Sequence, residues 1–415
     1  MDSPAFRITI IGLNYRPEPT GIAPYTSGLA ESLADSGHHV TVITTHPHYP
    51  QWRVEPPFGQ WSKIDLVNGV RVKRLRHYVP QTPGGPKRLL AELSFGLRTV
   101  LAHWNDPDIV VVVSPALFSS AMAVARAKLG RRRPVIRAWV QDLYSLGVRE
   151  TATVGWASAT LITKLEARVL QSVDGVAVIH DRFKGYVVAS LGVAEPAVKV
   201  IRNWTHAAPP PEIDRDAERA RLGWRESETI VLHAGAQGAK QGLENVVEAA
   251  RLADAQGADI RFVLLGDGSR RSDLQQLARG VERVDFIDPL PGDEFQKALS
   301  AADVLLVNER PGLNEMAVPS KLTSYFNSGV PVLAATDPGS VTADELRSSG
   351  GGLRVDAGDP AALVTAALRL GTETALAQEL ADSGRDFQQR VLTADHALRE
   401  FEQWIRSRRS EFAQR

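Results

Sequence analysis

The chain has 415 residues, 43% of them apolar and 23% charged. That is a globular composition with room for two buried cores, and it excludes a disordered or fibrous protein. Lysine plus arginine equals aspartate plus glutamate at 48 each, and cysteine is absent; no global field advertises a nucleic-acid partner, and disulfides, zinc–thiolate sites and a cysteine nucleophile are excluded.

In chain order, the N-terminus runs directly into Arg7–Ile11, without the basic and apolar stretches of a signal peptide. A cytoplasmic protein is expected. Arg7–Ile11, Val40–Thr44, Ile109–Val113, Val135–Val140 and Val176–Ile179 are short runs rich in Val and Ile, which predict buried strands. Helix-like segments such as Thr26–Ser36 and Arg88–Trp104 lie between them, so a parallel sheet covered on both faces is expected. The longest apolar region, Ile109 to Ala125, is broken by Ser114, Pro115, Ser119 and Ser120; it falls short of the roughly 18–20 residues of a spanning helix. In Arg88–Trp104, Leu89, Leu93, Leu97, Val100, Leu101 and Trp104 share one helical face. Lys87, Arg88, Arg98 and Arg131-Arg132-Arg133 add positive charge, so this face packs either on its own sheet or on an anionic membrane.

Pro209-Pro210-Pro211 interrupts the pattern, and charged residues follow from Glu212 to Arg221. Strands then restart at Thr229–Ala234 and continue as Ile260–Leu265, Val284–Ile287, Val304–Val307 and Val330–Ala334. Leu243–Ala255 and Arg271–Arg279 are the helices between them. The expected fold is α/β: two facing, doubly wound Rossmann-like domains with an interdomain cleft. Residues 1–204 form the first, 205–228 a linker and 229–392 the second. A C-terminal helix within 393–415 packs back across the domains.

Ligands of open parallel sheets bind at the carboxyl ends of the strands. After the first strand, Gly12 suits a tight turn and Gly21 a backbone approach at a helix start. Gly235-Ala236-Gln237-Gly238-Ala239-Lys240-Gln241-Gly242 follows the second domain's first strand. Small residues there let N–H groups face a phosphate that Lys240 neutralises. Leu265-Gly266-Asp267-Gly268 forms a further turn, and Pro319-Ser320 reads as a helix start with Lys321 in its first turn. A cation at that place opposes the helix dipole unless an anion lies there too. Asp142, after a strand, is either a cleft carboxylate or a helix cap; His180 is a loop or a functional histidine. The two histidines of His46-Pro47-His48-Tyr49-Pro50 either hold a metal or, as the prolines favour, sit in a rigid loop. Asp106-Pro107-Asp108 and Asp214-Arg215-Asp216 read as turn and linker acids, so no metal site is expected.

Together these stretches resemble the family 4 retaining glycosyltransferases, and most closely their colanic-acid WcaI/WbuB-like branch. The resemblance rests on IIGLNYRPEPTGIAPYTSGLAESL, VITTHPHYP, WVQDLYSLG, VIRNW, GAQGAKQGLENVVEAA, FVLLGDGSRRSDL and VPSKLTSYFNSGVPVLAA, which span nearly the whole chain. It implies the two-domain fold called GT-B, a nucleotide diphosphate sugar donor held mainly by the second domain, and an acceptor held mainly by the first. It further implies that Gly21, Gly235, Gln241, Gly266, Gly268, Leu290, Ser320 and Leu322 meet the donor. Tyr15, Thr20, His46, His48 and Tyr49 are expected at the acceptor, and Asp142, Lys240, Lys321 and Glu315 in the chemistry.

Two departures stand out. The family's arginine after the phosphate-loop glycine is Ala236 here, and its two glutamates fall on Met316 and Ser324, with Glu315 adjacent to the first. The expected reaction is retaining transfer of a hexosyl or N-acetylhexosaminyl group to a polyprenyl-diphosphate-linked sugar in surface polysaccharide assembly. It would be metal-independent and need no cofactor, at or near the inner face of the cytoplasmic membrane. A nucleotide-sugar epimerase of the same fold and a catalytically silent sugar-nucleotide-binding subunit are the rival readings. The first would need no acceptor and the second would release no nucleotide.

Overall fold

Branched Val and Ile side chains, stiff at χ1, favour extended backbone packed on both faces. The central strands obey this: Ile109–Val113 and Thr229–Ala234 are buried at every position. The computed structural model describes residues 5–19, 21–81, 85–151, 156–204, 212–312 and 320–407. Thr20, Glu315, Met316, Pro319 and the triple proline lie outside the described residues. The chain divides into two units, Met1–Asn203 with Asp395–Arg415, and Trp204–Ala394.

The first unit runs β1 (Arg7–Ile11), α1 (Ala23–Asp35), β2 (His39–Thr45), β3 (Ser62–Val67), β4 (Val70–Leu75), α2 (Gly85–Leu101), β5 (Ile109–Val113) and α3 (Leu117–Leu129). It continues through β6 (Val135–Val140), α4 (Tyr144–Thr151), α5 (Trp156–Gln171), β7 (Gly175–Val178), α6 (Asp181–Ala189) and β8 (Val198–Val200). Its sheet has the order β3-β4-β2-β1-β5-β6-β7-β8, parallel except for the β3–β4 hairpin at one edge. That hairpin turns on Asn68-Gly69, both at positive φ, and is a signal absent from the expected strands.

The second unit holds α7 (Arg215–Arg221), β9 (Thr229–Ala234), α8 (Glu244–Gln256), β10 (Ile260–Leu265), α9 (Arg271–Leu277), β11 (Val284–Ile287), α10 (Gly292–Ala301) and β12 (Val304–Asn308). Then come α11 (Ser320–Ser328), β13 (Val332–Ala335), α12 (Val341–Ser349), β14 (Gly352–Val355), α13 (Pro360–Thr372) and α14 (Thr374–Val391). Its order, β11-β10-β9-β12-β13-β14, is the doubly wound 3-2-1-4-5-6 arrangement. The order reverses between β9 and β12, which marks a ligand crevice at their carboxyl ends.

Two segments flank the second unit's sheet along the chain. The stretch read as linker is folded where described. Asp214 caps α7 by accepting from the Ala217 amide, and buried Arg219 pairs with Asp303 at 3.1 Å. The last helix, α15 (Ala394–Arg406), belongs to the first unit. Phe401 meets the Trp139 ring at 4.7 Å, and the guanidinium of fully buried Arg137 lies 5.2 Å from the Trp404 ring and donates to the Ser407 carbonyl.

The helix α2 turns its stripe outward. Ala91, Phe95, Gly96 and Thr99 form its buried face, while Leu90, Leu93, Leu97 and Leu101 are exposed at 52%, 39%, 54% and 76%. Helix α2 packs against α3. Trp104, expected on the stripe, lies beyond the helix end and is buried beneath Arg126, 4.1 Å from its ring. Among the described residues no helix is long and apolar enough to cross a membrane.

Candidate active site

The crevice of the second unit is built by loops that pack backbone against backbone. Gly235 extends the ladder by donating to the Leu265 carbonyl at 2.8 Å. At Gly266, with φ +130°, an added Cβ would lie 2.1 Å from the Gly235 carbonyl oxygen, so only glycine lets the two turns meet. Gly268 faces the same limit against Gln237, whose carbonyl oxygen would lie 2.5 Å from a Cβ. The Gln237 side chain is fully buried and donates to the carbonyls of Leu264 and Gly266. Gln241 folds its own loop, its Oε1 accepting from the Gly238 amide at 3.0 Å. Asn308 donates to the carbonyls of Gln241 and Gly242 at 2.7 and 2.9 Å, and the Arg310 amide donates to that of Lys240. The Lys240 side chain is exposed.

Lys321 and Tyr325 are four residues apart, so both point from one face of α11. The buried Tyr325 hydroxyl accepts from the Ala234 amide at 2.9 Å and fastens the helix to the end of β9. One turn earlier, Lys321 lies against Gly235, where an added Cβ would stand 3.2 Å from its Cε. Its Nζ is 2.9 Å from Nε2 of His233, a side chain with no solvent exposure. No ion pair engages Lys321 among the described residues. Burial lowers its pKa to about 7, against a smaller upward pull from Glu309. Burial and the Lys321 charge together hold His233 neutral. A half-buried cation whose hydrogen-bond partner is a neutral imidazole is a site made for an anion.

Glu309 leaves β12 beside this lysine. Its carboxylate accepts from the hydroxyls of Thr336 and Thr342. Sequence reading passed over both His233 and Glu309. The first looks like an ordinary strand residue, and the second carried one signal, its place directly after the strand at the order reversal. Ser324, on the family's second glutamate position, is half-buried on α11. Ser320 opens that helix, whereas Leu322 is a core residue with 1% exposure, so its side chain faces away from any ligand. Leu290 packs partly buried against the same core. Nearby, Arg271 ties two strand ends together by donating to the carbonyls of Gly266 and Ile287 and to Asp288.

In the first unit the corresponding loops are tied by a buried acid. Glu18 accepts from the amides of His48 and Tyr49 at 2.8 and 3.0 Å and from Asn14 at 2.8 Å. Tyr15 is 1% exposed and His48 6%, so these side chains are committed to the loop interior; His46, 1% exposed, lines a recess beside them. Tyr49 is 36% exposed, with its ring 3.5 Å from the Cβ position of Gly21. Asp142 is exposed at the end of β6, and the cap of α4 comes from elsewhere: Glu166 accepts from the amides of Tyr144 and Ser145. His180 caps α6, accepting from the Phe183 amide. Asp108 pairs with Arg7 at 3.0 Å at the amino end of the sheet, away from these loops.

Comparisons with known proteins bear on the family and the fold. The family described as "Glycosyl transferase 4-like domain" matches residues 20–204, and "Glycosyl transferases group 1" matches residues 228–373. A protein of Escherichia coli described as "Putative colanic acid biosynthesis glycosyl transferase WcaI" is 34% identical over 339 residues, 78% of this chain and 81% of that protein. The 2-deoxystreptamine glucosyltransferase of Streptomyces kanamyceticus is 29% identical, over 44% of this chain and 48% of its own length. Among solved structures, sucrose-phosphate synthase from Thermosynechococcus elongatus superposes with a TM-score of 0.74 at 19% identity, covering 98% and 99% of the two chains. The Anabaena protein HepE, solved with UDP and glucose, gives 0.67 at 15% identity, covering 97% and 100%.

Proposed function

The chain belongs to the family 4 glycosyltransferases of GT-B fold, in their WcaI-like branch, and from that premise we propose that it moves a hexosyl or N-acetylhexosaminyl group, with retention, from a nucleotide diphosphate sugar to a polyprenyl-diphosphate-linked sugar. The description that the Escherichia coli relative carries supports a place in surface polysaccharide assembly. The observation that carries the reading is Lys321, held 2.9 Å from neutral His233 at the end of β9, with Glu309 near enough to act on it but no direct ion pair among the described residues. As the glycosidic bond breaks, negative charge grows on the leaving diphosphate. Lys321, exposed Lys240 and the starts of α8 and α11 stabilise that charge, in the role a divalent ion would otherwise take. The acceptor hydroxyl then attacks from the face the diphosphate leaves. The leaving phosphate takes the hydroxyl proton, and no covalent enzyme intermediate forms.

The acceptor falls to the first unit. Its exposed Leu90, Leu93, Leu97 and Leu101, with Arg98 stacked 3.6 Å from the exposed Trp61 ring, support contact with the inner face of an anionic membrane. The test is turnover with nucleotide-sugar donors and a prenyl-diphosphate sugar, with the product's anomeric configuration read by NMR. Product formed without acceptor, or donor bound and never cleaved, would overturn the reading.

A further inference from the structure

A recess of about 340 Å³ opens in the first unit at the carboxyl ends of β2 and β4. Trp52 and Phe58 line it, and Arg53 and Arg76 bring two guanidinium groups. Arg53 lies 4.0 Å from Glu55, both largely exposed, which is a weak pairing. Exposed Arg76 is anchored by its amide, which donates to the Trp61 carbonyl, and no side-chain partner engages it among the described residues.

Deeper in the recess lie two imidazoles, His46 and His77. His46 spends Nε2 on the Gln60 carbonyl at 2.8 Å, and its Nδ1 is buried without a partner. Nε2 of His77 is likewise buried and unpartnered. Burial, with His48 and His46 nearby, lowers the His77 pKa to about 3, so it is neutral at working pH. A neutral ring nitrogen left unpaired is a standing cost, and a ligand hydroxyl, which can donate or accept, removes it. Trp52 also holds φ +53°, a left-handed conformation rare for a bulky residue and typical of ligand clamps.

Aromatic walls, neutral imidazoles and a pair of guanidinium groups fit a sugar ring that carries phosphate. The wall continues through Val79 and Gln81 toward α2, whose outer face bears the exposed leucines. We propose that this recess receives the glycosyl-diphosphate end of the acceptor, with Arg76 and Arg53 on the diphosphate and His46 and His77 on sugar hydroxyls. The inference rests on the reading that the first unit takes a lipid-diphosphate-linked sugar.

The test uses the full chain and a soluble short-prenyl diphosphate N-acetylglucosamine. In Arg76→Ala the acceptor KM rises roughly tenfold or more while donor KM and kcat hold. Inorganic pyrophosphate competes with the acceptor in the parent enzyme and much less in the variant. An unchanged acceptor KM, or an equal rise in donor KM, overturns the assignment and leaves the transferase reading standing. Should no prenyl-diphosphate sugar be turned over, ¹⁵N-histidine NMR decides the recess by itself. The His77 nitrogens shift when the soluble probe or pyrophosphate is added and stay still in Arg76→Ala; no shift in the parent protein overturns the proposal.

Discussion

The two units share a parallel core of order 3-2-1-4-5-6, to which the first adds β3 and β8 at its edges, yet they treat charge in opposite ways at their carboxyl ends. In the first, Glu18, Glu92 and Glu166 are buried and engaged by the chain's own amides, Glu18 bridging two loops and the others capping α3 and α4. In the second, glycine turns press together and Lys321 is left with a neutral imidazole for company. One topology thus supports a scaffold whose buried acids are met by its own amides, with an open recess, and a tight crevice short of an anion. The difference lies in loop chemistry, which is where function resides on a shared fold.

Breaking the crevice should have the largest effect. Removing a charge-assisted contact costs about 1.5–3 kcal/mol, so Lys321→Ala lowers turnover roughly tenfold to a hundredfold or more. Near-parent activity in steady-state assays would refute the role given to Lys321. The same contrast predicts a pH dependence confined to the donor. Lys321, lowered to about 7 in the free enzyme, loses its charge as pH rises through that value. Donor Kd should therefore climb toward tenfold per pH unit between about 7 and 9, stay level below, and lose this slope in Lys321→Ala. Calorimetric titrations of both proteins would reveal it. A lysine disfavoured as a cation also costs the empty fold stability wherever the unfolded chain binds more protons. Its contribution then improves as pH rises from 7 toward the ordinary lysine range. Lys321→Met should accordingly raise the melting temperature of the ligand-free protein near pH 7 and abolish the shift produced by donor.

In the first unit, Glu166→Gln should cost about 1–3 kcal/mol of stability and leave donor affinity intact; denaturant unfolding beside nucleotide titration separates the two. The smallest effect on chemistry is expected from Leu93→Glu with Leu97→Glu. Flotation with anionic liposomes should be lost, while turnover of a soluble acceptor is unchanged. Equal flotation of parent and variant would end the membrane reading.

Most of the fold was legible in the sequence because unbroken Val and Ile runs mark doubly covered strands. Six of the ten expected strands match to the residue: Arg7–Ile11, Ile109–Val113, Val135–Val140, Thr229–Ala234, Ile260–Leu265 and Val284–Ile287. The edge hairpin escaped because it alternates only partly and is held by one neighbour. Lys321 could be singled out from a helix start, since that signal is local. His233 could not, because 88 residues separate it from the lysine it touches. Glu309 and Glu18 were missed for the same reason: the groups that fix each carboxylate arrive from other loops.

The return of α15 to the first unit bears on how the protein is made. Arg137 sits in the middle of β6, yet one of its acceptors, the Ser407 carbonyl, is among the last groups described along the chain. The Trp139 ring waits for Phe401 in the same way. During synthesis the second unit is therefore complete before the first, although the first emerges earlier. A fragment cut at residue 203 would present an aromatic face and a buried guanidinium stripped of that carbonyl, and should aggregate more readily than the whole chain.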